Sequence, residues 1–398
     1  MKVAFLSAYD PLSTSSWSGT PYYMLKALSK RNISIEILGP VNSYMIYMLK
    51  VYKLILRCFG KEYDYSHSKL LSRYYGRIFG RKLKKIDGLD FIIAPAGSSQ
   101  IAFLKTTIPI IYLSDTTYDQ LKSYYPNLNK KTIINDEDAS LIERKAIEKA
   151  TVVSFPSKWA MDFCRNYYRL DFDKLVEIPW GANLFDDIHF ANKNIIQKNS
   201  YTCLFLGVDW ERKGGKTALK AIEYVRQLYG IDVRLKICGC TPNQKILPTW
   251  VELIDKVDKN NVDEYQKFID VLSNADILLL PTIAECYGMV FCEAAAFGLP
   301  VVATDTGGVS SIVINERTGI LIKDPLDYKH FGNAIHKIIS SVETYQNYSQ
   351  NARIRYNNIL HWDNWAKKII EIGNDSNLLI VFYVQIMPDD FVMQLHRF

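Results

Sequence analysis

Short apolar runs alternate with amphipathic stretches along the first half of the chain. The apolar runs predict strands at Lys2–Ser7, Ser34–Leu38, Phe91–Ala94, Ile108–Leu113, Thr151–Ser154 and Val176–Ile178. Amphipathic segments between them predict helices, notably Pro21–Lys30 and Ser157–Tyr167, and Ser157 is a favourable N-cap for the second. Strands that alternate with helices are typical of a parallel α/β sheet.

The pattern is interrupted once and then resumes. A polar, Asn-rich stretch, Asp186–Ser200, predicts a linker, and further strands are predicted at Tyr201–Gly207, Val233–Cys238, Ile277–Leu280, Val301–Ala303 and Gly319–Ile322. We therefore predict an α/β protein with two Rossmann-like doubly wound domains that face a cleft, over residues 1–185 and 200–355. A helix is expected within residues 356–375, and the tail at 376–398 has no assigned role.

Composition excludes a disordered chain and places the protein in a reducing compartment. The 398 residues are 48% hydrophobic, which is enough for substantial cores. The seven cysteines are odd in number and form no Cys-x-x-Cys pair, which argues against a disulfide framework or a structural zinc site. Met1–Ser7 is too short for a signal peptide, and no apolar run is long enough to span a membrane. We expect a cytoplasmic protein.

Two glutamates eight positions apart give the most specific chemical signal. Glu285 follows the predicted strand Ile277–Leu280, and Glu293 lies in an alanine-rich helical segment that starts near Gly288. Ligands of open α/β sheets bind beyond the carboxyl ends of the strands, and free N–H groups at a helix start bind anions. A phosphate on Gly288, Met289 and Val290 would leave both glutamates for hydroxyl groups. The alternative is that Glu285 is an ordinary loop residue and Glu293 an exposed helix position.

The stretch from Glu285 to Gly308, together with Thr318–Ile322, closely resembles the donor-site signature of the family 4 retaining glycosyltransferases. The match consists of Glu-x7-Glu, then Gly298-Leu-Pro-Val-Val302, then Gly307-Gly308. The resemblance implies the two-domain GT-B fold, with the last helix returning to the first domain. It also implies transfer of a sugar from a nucleotide-sugar donor to a hydroxyl of a glycan or glycolipid, as in surface polysaccharide or glycoconjugate synthesis.

A basic, glycine-rich turn is a second candidate for phosphate binding. It runs from Gly207 to Gly215 and contains Arg212, whose guanidinium is a planar fork, and Lys213, a compact charge. Lys213-Gly214 matches the family's diphosphate-binding Lys-Gly. The family commonly has an arginine where this chain has Val208, and we expect Arg212 to supply that charge. The alternative is a solvated basic turn.

The first half contributes two further candidates. Gly19, in the loop before the first helix, resembles the family's glycine at a close approach of the backbone to the donor or acceptor. Asp115 follows the strand Ile108–Leu113 and would face sugar hydroxyls or an acceptor, or alternatively cap the next helix. The family often has a histidine here, whereas no histidine lies between His67 and His189. A family glutamate after Gly308 is replaced by Ser311.

The resemblance implies catalysis without a metal or a bound cofactor. Glu285 and Glu293 should not act as the carboxylate pair of a retaining hydrolase, because a helix terminus separates them. The implied reaction is a front-face transfer in which the leaving diphosphate helps deprotonate the incoming hydroxyl. The catalytic candidates are Glu285, Lys213, Arg212 and Asp115, and the donor-binding candidates are Gly19, Gly207, Arg212, Lys213, Glu285, Gly288, Met289, Val290 and Glu293.

Positive charge is concentrated between residues 50 and 85. This segment carries eleven Lys or Arg against Glu62 and Asp64, although the net charge of the chain is only +6. Tyrosines and aliphatic residues are interleaved with the charges, a composition that suits an anionic membrane surface at the inner face of the plasma membrane. A solvated helical face is the alternative. No nucleic-acid motif accompanies the charge.

Three other functions remain open at this point. A nucleotide-sugar epimerase would have the same architecture but would need acid and base side chains in its cleft. A catalytically silent nucleotide-sugar-binding protein would retain Glu285, Lys213 and Glu293 for binding alone. An NAD-dependent dehydrogenase is disfavoured, because no Gly-x-Gly-x-x-Gly follows the first strand.

Overall fold

The computed structural model describes residues 1–7, 10–125, 133–185, 198–242 and 246–374. Two separate sheets, each of six parallel strands, form the framework. The prediction of an α/β protein with two doubly wound sheets is confirmed. Five strands are buried along their whole length, because helices cover both faces of the sheets: Phe91–Pro95, Ile110–Leu113, Val152–Phe155, Ile277–Leu280 and Val301–Thr304.

The first sheet has the strand order β2-β1-β3-β4-β5-β6. Its strands are β1 (Lys2–Leu6), β2 (Ser34–Leu38), β3 (Phe91–Pro95), β4 (Ile110–Leu113), β5 (Val152–Phe155) and β6 (Leu175–Glu177). The helices connected to it are α1 (Thr20–Ser29), α2 (Tyr44–Cys58), α3 (Lys69–Leu83), α4 (Ser98–Ile101), α5 (Tyr118–Tyr124), α6 (Asp136–Lys149) and α7 (Lys158–Tyr168). β4 begins later than predicted because Pro109 has no N–H to donate to the ladder.

The second sheet has the order β12-β11-β10-β7-β8-β9. Its strands are β7 (Ser200–Leu206), β8 (Asp232–Cys238), β9 (Val251–Ile254), β10 (Ile277–Leu280), β11 (Val301–Thr304) and β12 (Gly319–Ile322). Its helices are α8 (Gly215–Tyr229), α9 (Val262–Asn274), α10 (Met289–Ala296), α11 (Tyr328–Ile339) and α12 (Val342–Asn358). The sequence analysis missed β9, an edge strand with no fully buried residue and therefore no clear apolar run.

The last described helix, α13 (Trp362–Asn374), packs against α1 of the first domain. Trp362 Nε1 donates to Asn183 Oδ1 at 3.1 Å, and a Cβ at Gly373 would lie 2.0 Å from the Phe91 ring. The chain therefore returns to the first domain after completing the second. Most of the predicted linker, residues 186–197, and the tail from 375 onward lie outside the described residues.

Candidate functional site

A cavity of about 790 Å³ lies between the two sheets, lined by residues from both. Parallel strands bring their carboxyl ends to one edge of a sheet, and the loops that follow β4, β7 and β10 all reach this cavity. Asp115 and Tyr125 come from the first domain, and Gly207, Lys213 and Glu285 from the second. The volume is that of a site for a small molecule.

Glu285 is the centre of the charged cluster in this cavity. Its side chain is bonded to Lys213 Nζ through Oε2, and Arg212 Nη1 lies 3.4 Å from the same oxygen. Glu285 and Lys213 are 9% and 6% exposed, respectively. A buried ammonium group is costly without a partner, so the Glu285 carboxylate stabilises the charge of Lys213. The interpretation of Glu285 as an ordinary solvated loop residue is wrong.

Arg212 faces the cavity and not the bulk solvent. Nη1 donates to the carbonyl oxygen of Ala284 at 2.8 Å, and the guanidinium lies over the Tyr125 ring at 5.6 Å. Val208, where the family commonly has an arginine, is 68% exposed and also lines the cavity. Arg212 is therefore placed where it could supply the charge that Val208 does not.

The glycine-rich turn is held by its own backbone bonds. The N–H of Lys213 donates to Asp209 and that of Gly215 to Trp210, so the turn offers charge mainly through its side chains. Gly214 has φ of 77°, and a Cβ there would lie 1.9 Å from the carbonyl oxygen of Pro281. Only glycine fits this approach between the turn and the strand β10, which brings Lys213 beside Glu285.

The helix α10 begins at Met289, between the two glutamates. Gly288 is its N-cap in the left-handed region, with φ of 96° and no side-chain cap. Gly288, Met289 and Val290 all line the cavity, so this helix start borders the space where an anion would bind. Glu293 lies one turn further on, 5% exposed, with Oε1 at 2.6 Å from Lys259 Nζ. It is not the exposed helix position of the alternative interpretation.

Asp115 reaches the cavity from the opposite domain. Burial raises the pKa of its carboxyl to about 6, and the negative charge of Glu285 adds to the rise, against hydrogen bonds to its own backbone and to Trp17. The alternative role of helix capping is wrong, because the Thr117 side chain caps α5 by accepting from the N–H of Gln120. Asp115 is thus a carboxyl group that faces the cavity and can hold a proton near neutral pH.

Gly19 lies behind the cavity wall. It is the N-cap of α1 with φ of 80°, and a Cβ there would approach Thr14 and Tyr23. Its neighbours Ser18 and Thr20 line the cavity. Gly207 does line the cavity, where a Cβ would lie 3.1 Å from Lys213 Cγ.

Sequence reasoning missed two residues that hold the glutamates of the site. Tyr124 Oη accepts from the Glu285 N–H at 2.9 Å and lies 2.6 Å from Thr306 Oγ1. Within the second domain, Lys259 bonds Glu293 from the loop before α9. No motif or spacing identifies either residue, because each contact joins segments far apart in sequence.

The described part of the chain contains neither a metal-ligand cluster nor a membrane-spanning helix. Within residues 1–7, 10–125, 133–185, 198–242 and 246–374, no group of three or more His, Cys, Asp or Glu side chains could hold a metal ion. Across the same residues, no helix is long and apolar enough to cross a membrane. The cysteines next to the site pack in the interior: Cys292 is fully buried, and Cys286 is 5% exposed.

Comparison with known proteins gives one family match and several structural neighbours. Residues 186–355 match the family described as Glycosyl transferases group 1. The chain thus resembles this family over its second domain. It is 27% identical over 190 residues to a D-inositol 3-phosphate glycosyltransferase of Paenarthrobacter aurescens, a match covering 45% of this chain and 46% of the relative. The chain thus spans about half the length of the curated relatives that it matches.

The structural neighbours of this chain extend over both domains. A sucrose-phosphate synthase from Thermosynechococcus elongatus superimposes with a TM-score of 0.65 at 16% identity, over 93% of this chain and 98% of the neighbour. WaaG, a glycosyltransferase involved in lipopolysaccharide biosynthesis, superimposes with a TM-score of 0.57 at 16% identity, over 94% of this chain and 100% of the neighbour. The chain has the GT-B fold.

Proposed function

We propose that this protein is a retaining, metal-independent hexosyltransferase that moves a sugar from a nucleotide-sugar donor to a hydroxyl of a glycan or glycolipid. The observation that carries the proposal is the convergence of Lys213 and Arg212 on Glu285, next to the uncapped start of α10. Two cations and a helix N-terminus suit a diphosphate, and carboxylates on either side suit hydroxyl groups. The match of residues 186–355 to the group 1 family supports the same function.

Each part of the site has a role in this proposal. Arg212 and Lys213 neutralise the donor diphosphate, assisted by the N–H groups of Met289 and Val290. Glu285 accepts from hydroxyls of the transferred sugar, and Glu293 from hydroxyls on the nucleoside side. No bound cofactor takes part, and the donor itself is a substrate.

The reaction forms one glycosidic bond and breaks one bond to phosphate. The bond between the anomeric carbon and the diphosphate oxygen breaks, and the acceptor oxygen attaches to the same face of the sugar. The proton of the acceptor hydroxyl passes to an oxygen of the departing diphosphate. The side chains supply position and electrostatic stabilisation of the leaving group, which are the main terms expected for such a transfer. Asp115, from the other domain, orients the acceptor hydroxyl.

We place this reaction in the cytoplasm, in the synthesis of a surface polysaccharide or another glycoconjugate. The acceptor would be a growing glycan or a lipid-linked intermediate at the inner face of the plasma membrane. The spread of cysteines and the basic segment support this location.

A donor screen with two variants tests the proposal. Thermal shift and release of nucleoside diphosphate are measured across UDP, GDP and ADP sugars for wild type, Glu285→Gln and Glu223→Gln. Glu285→Gln keeps the shape of the site and should still bind the nucleoside diphosphate while losing turnover. Glu223, exposed on α8, provides a matched control that should behave like wild type.

Three outcomes oppose the proposal. Binding without turnover by the wild type, even with cell glycolipid added, would indicate a silent binding protein. Release of nucleotide together with an epimerised free sugar would indicate an epimerase. Turnover that survives Glu285→Gln unchanged would remove Glu285 from the site.

A further inference from the structure

The helix α2 has an apolar face that points away from the protein. The exposed side chains on this face are Tyr44, Tyr47, Met48, Val51, Tyr52, Leu54 and Ile55, with Phe59 one residue beyond the helix. The least exposed of them, Val51, is 38% exposed, and Tyr44 is 90% exposed. At 3.6 residues per turn these eight positions lie within one arc of roughly 160°.

The packing of α2 on its domain uses mainly the other side of the helix, although the Tyr52 ring does contact the Tyr63 ring at 5.2 Å. The opposite side of α2 provides the contacts with the core: Leu49 is buried, and Met45 and Ile46 are partly buried against the core of the first domain. The helix therefore has two apolar sides, of which the described part of the chain covers mainly one. Contiguous exposed apolar surface of this kind marks an interaction site.

Positive charge flanks the apolar face. The helix Tyr44–Cys58 contains no acidic residue, and Lys50, Lys53 and Arg57 lie together on one flank. The ammonium groups of Lys50 and Lys53 lie 5.9 and 5.8 Å from the Tyr65 ring, which holds both lysines on that flank. Further cations follow at Lys61 and along α3. An apolar face with a basic border matches the surface of an anionic bilayer.

A second copy of the chain fits this surface less well than a bilayer. In a two-fold dimer through α2, the same patch would meet itself, and no carboxylate on the helix would balance the flanking cations. The helix also starts just after β2, at the carboxyl edge of the first sheet, which borders the cleft. A contact through α2 would therefore hold the cleft close to whatever surface it binds.

We propose that α2 lies in the plane of an anionic lipid bilayer, with its outward apolar face among the acyl chains and Lys50, Lys53 and Arg57 at the headgroups. The lipid contact stands on the helix alone. Its use to reach lipid-linked acceptors rests on the proposed function.

Co-sedimentation with vesicles tests the proposal on the full chain. The vesicles are equal parts phosphatidylglycerol and phosphatidylcholine, or phosphatidylcholine alone. The apolar-face variant Tyr47→Ser/Leu54→Ser/Ile55→Ser is compared with the control Ile246→Ser/Val262→Ser/Leu326→Ser, whose residues are 88%, 83% and 70% exposed elsewhere. Wild type and control should prefer anionic vesicles, and the apolar-face variant should bind about a hundredfold more weakly.

A charge variant and an activity measurement complete the test. Lys50→Gln/Lys53→Gln/Arg57→Gln should lose the preference for anionic vesicles, and the apolar-face variant should keep the wild-type rate of donor hydrolysis. Equal binding of the apolar-face variant and the control would overturn the proposal. The proposal would also be overturned if the wild type formed a dimer and did not bind vesicles, while the apolar-face variant was a monomer. If the wild type hydrolysed no donor, this result would count against the proposed function and not against the lipid contact.

Discussion

Tyr124 and Glu285 are joined across the cleft by a hydrogen bond of 2.9 Å, from the Glu285 N–H to the Tyr124 phenol oxygen. Tyr124 ends α5 of the first domain, and its ring packs on Trp159 with centroids 4.7 Å apart. On the other side of the bond, a Cβ at Gly307 would lie 2.7 Å from the same phenol oxygen. The first domain thus fixes the loop that carries the central carboxylate of the second.

Tyr124→Phe should reduce kcat about tenfold and leave the affinity for the donor nucleotide unchanged, because the loop keeps its residues but loses its restraint. The free energy of unfolding should fall by only about 1 kcal/mol, the usual loss for one hydrogen bond. Steady-state kinetics and thermal unfolding measure the two effects. Tyr167→Phe, which removes an exposed phenol 3.3 Å from Asp119, is the control. Matching kcat values for the two variants would show that Tyr124 does not position Glu285.

Lys213→Ala should weaken binding of the nucleoside diphosphate about 10- to 100-fold, because a charge-assisted contact to phosphate is removed. Arg212→Ala should weaken it less, since its guanidinium also bonds the Ala284 carbonyl. Titration calorimetry with the nucleoside diphosphate and the uncharged nucleoside separates the phosphate contribution. Lys216→Ala is the control and should bind normally, because Lys216 is an exposed lysine in the first turn of α8 that pairs with Glu211 at 3.2 Å. If Lys216→Ala lost as much affinity for the nucleoside diphosphate as Lys213→Ala, Lys213 would have no specific role in binding phosphate.

The pKa of Asp115, about 6, predicts two pH effects of opposite kinds. Catalysis that uses the carboxylate should increase as pH rises through about 6 and then level off. The free energy of unfolding should change in the other direction. Between about pH 4 and 6 the folded protein holds a proton on Asp115 that the unfolded chain releases. The stability that this proton contributes is therefore lost as pH rises.

Asp115→Asn should remove both effects. Its pH–rate profile should lack the step near 6, and its melting temperature relative to wild type should be higher at about pH 7 than at about pH 4. Asp305→Asn, an exposed residue after β11, should retain the wild-type profile. A step that persists in Asp115→Asn belongs to another group.

Gly214 and Gly230 form a matched pair at the two ends of α8. Both have positive φ, 77° and 65°, but a Cβ at Gly214 would lie 1.9 Å from the Pro281 oxygen, whereas nothing lies within 4 Å of one at Gly230. Gly230→Ala should cost about 1 kcal/mol of unfolding free energy and Gly214→Ala clearly more, with loss of donor binding. Denaturant unfolding measures the difference. Equal costs would mean that the close approach to β10 does not constrain the turn.

Local sequence signals were sufficient for most of the fold. The strand Phe91–Pro95 is an uninterrupted apolar run because both faces are covered, and such runs are visible without tertiary information. The helix start at Gly288 was also predicted, since a glycine before an alanine-rich segment is a local feature. β9 was missed because an exposed edge strand needs no apolar pattern.

The contacts within the site depend on the tertiary fold. Lys259 lies 34 positions before Glu293, and Tyr124 lies 161 positions before Glu285. Nothing near either residue distinguishes it from other lysines and tyrosines of the chain. The outward face of α2 was visible only as composition, because the sequence does not say which side of a helix its domain covers.

Proton NMR of a single reaction tests the central claim most directly. The donor that the screen identifies is incubated with the protein, and nucleoside diphosphate release and the anomeric configuration of the first-formed product are followed together. The account predicts that the diphosphate is released with the donor's anomeric configuration retained, and that Glu285→Gln abolishes both signals. An inverted product, or wild-type activity in Glu285→Gln, would contradict it.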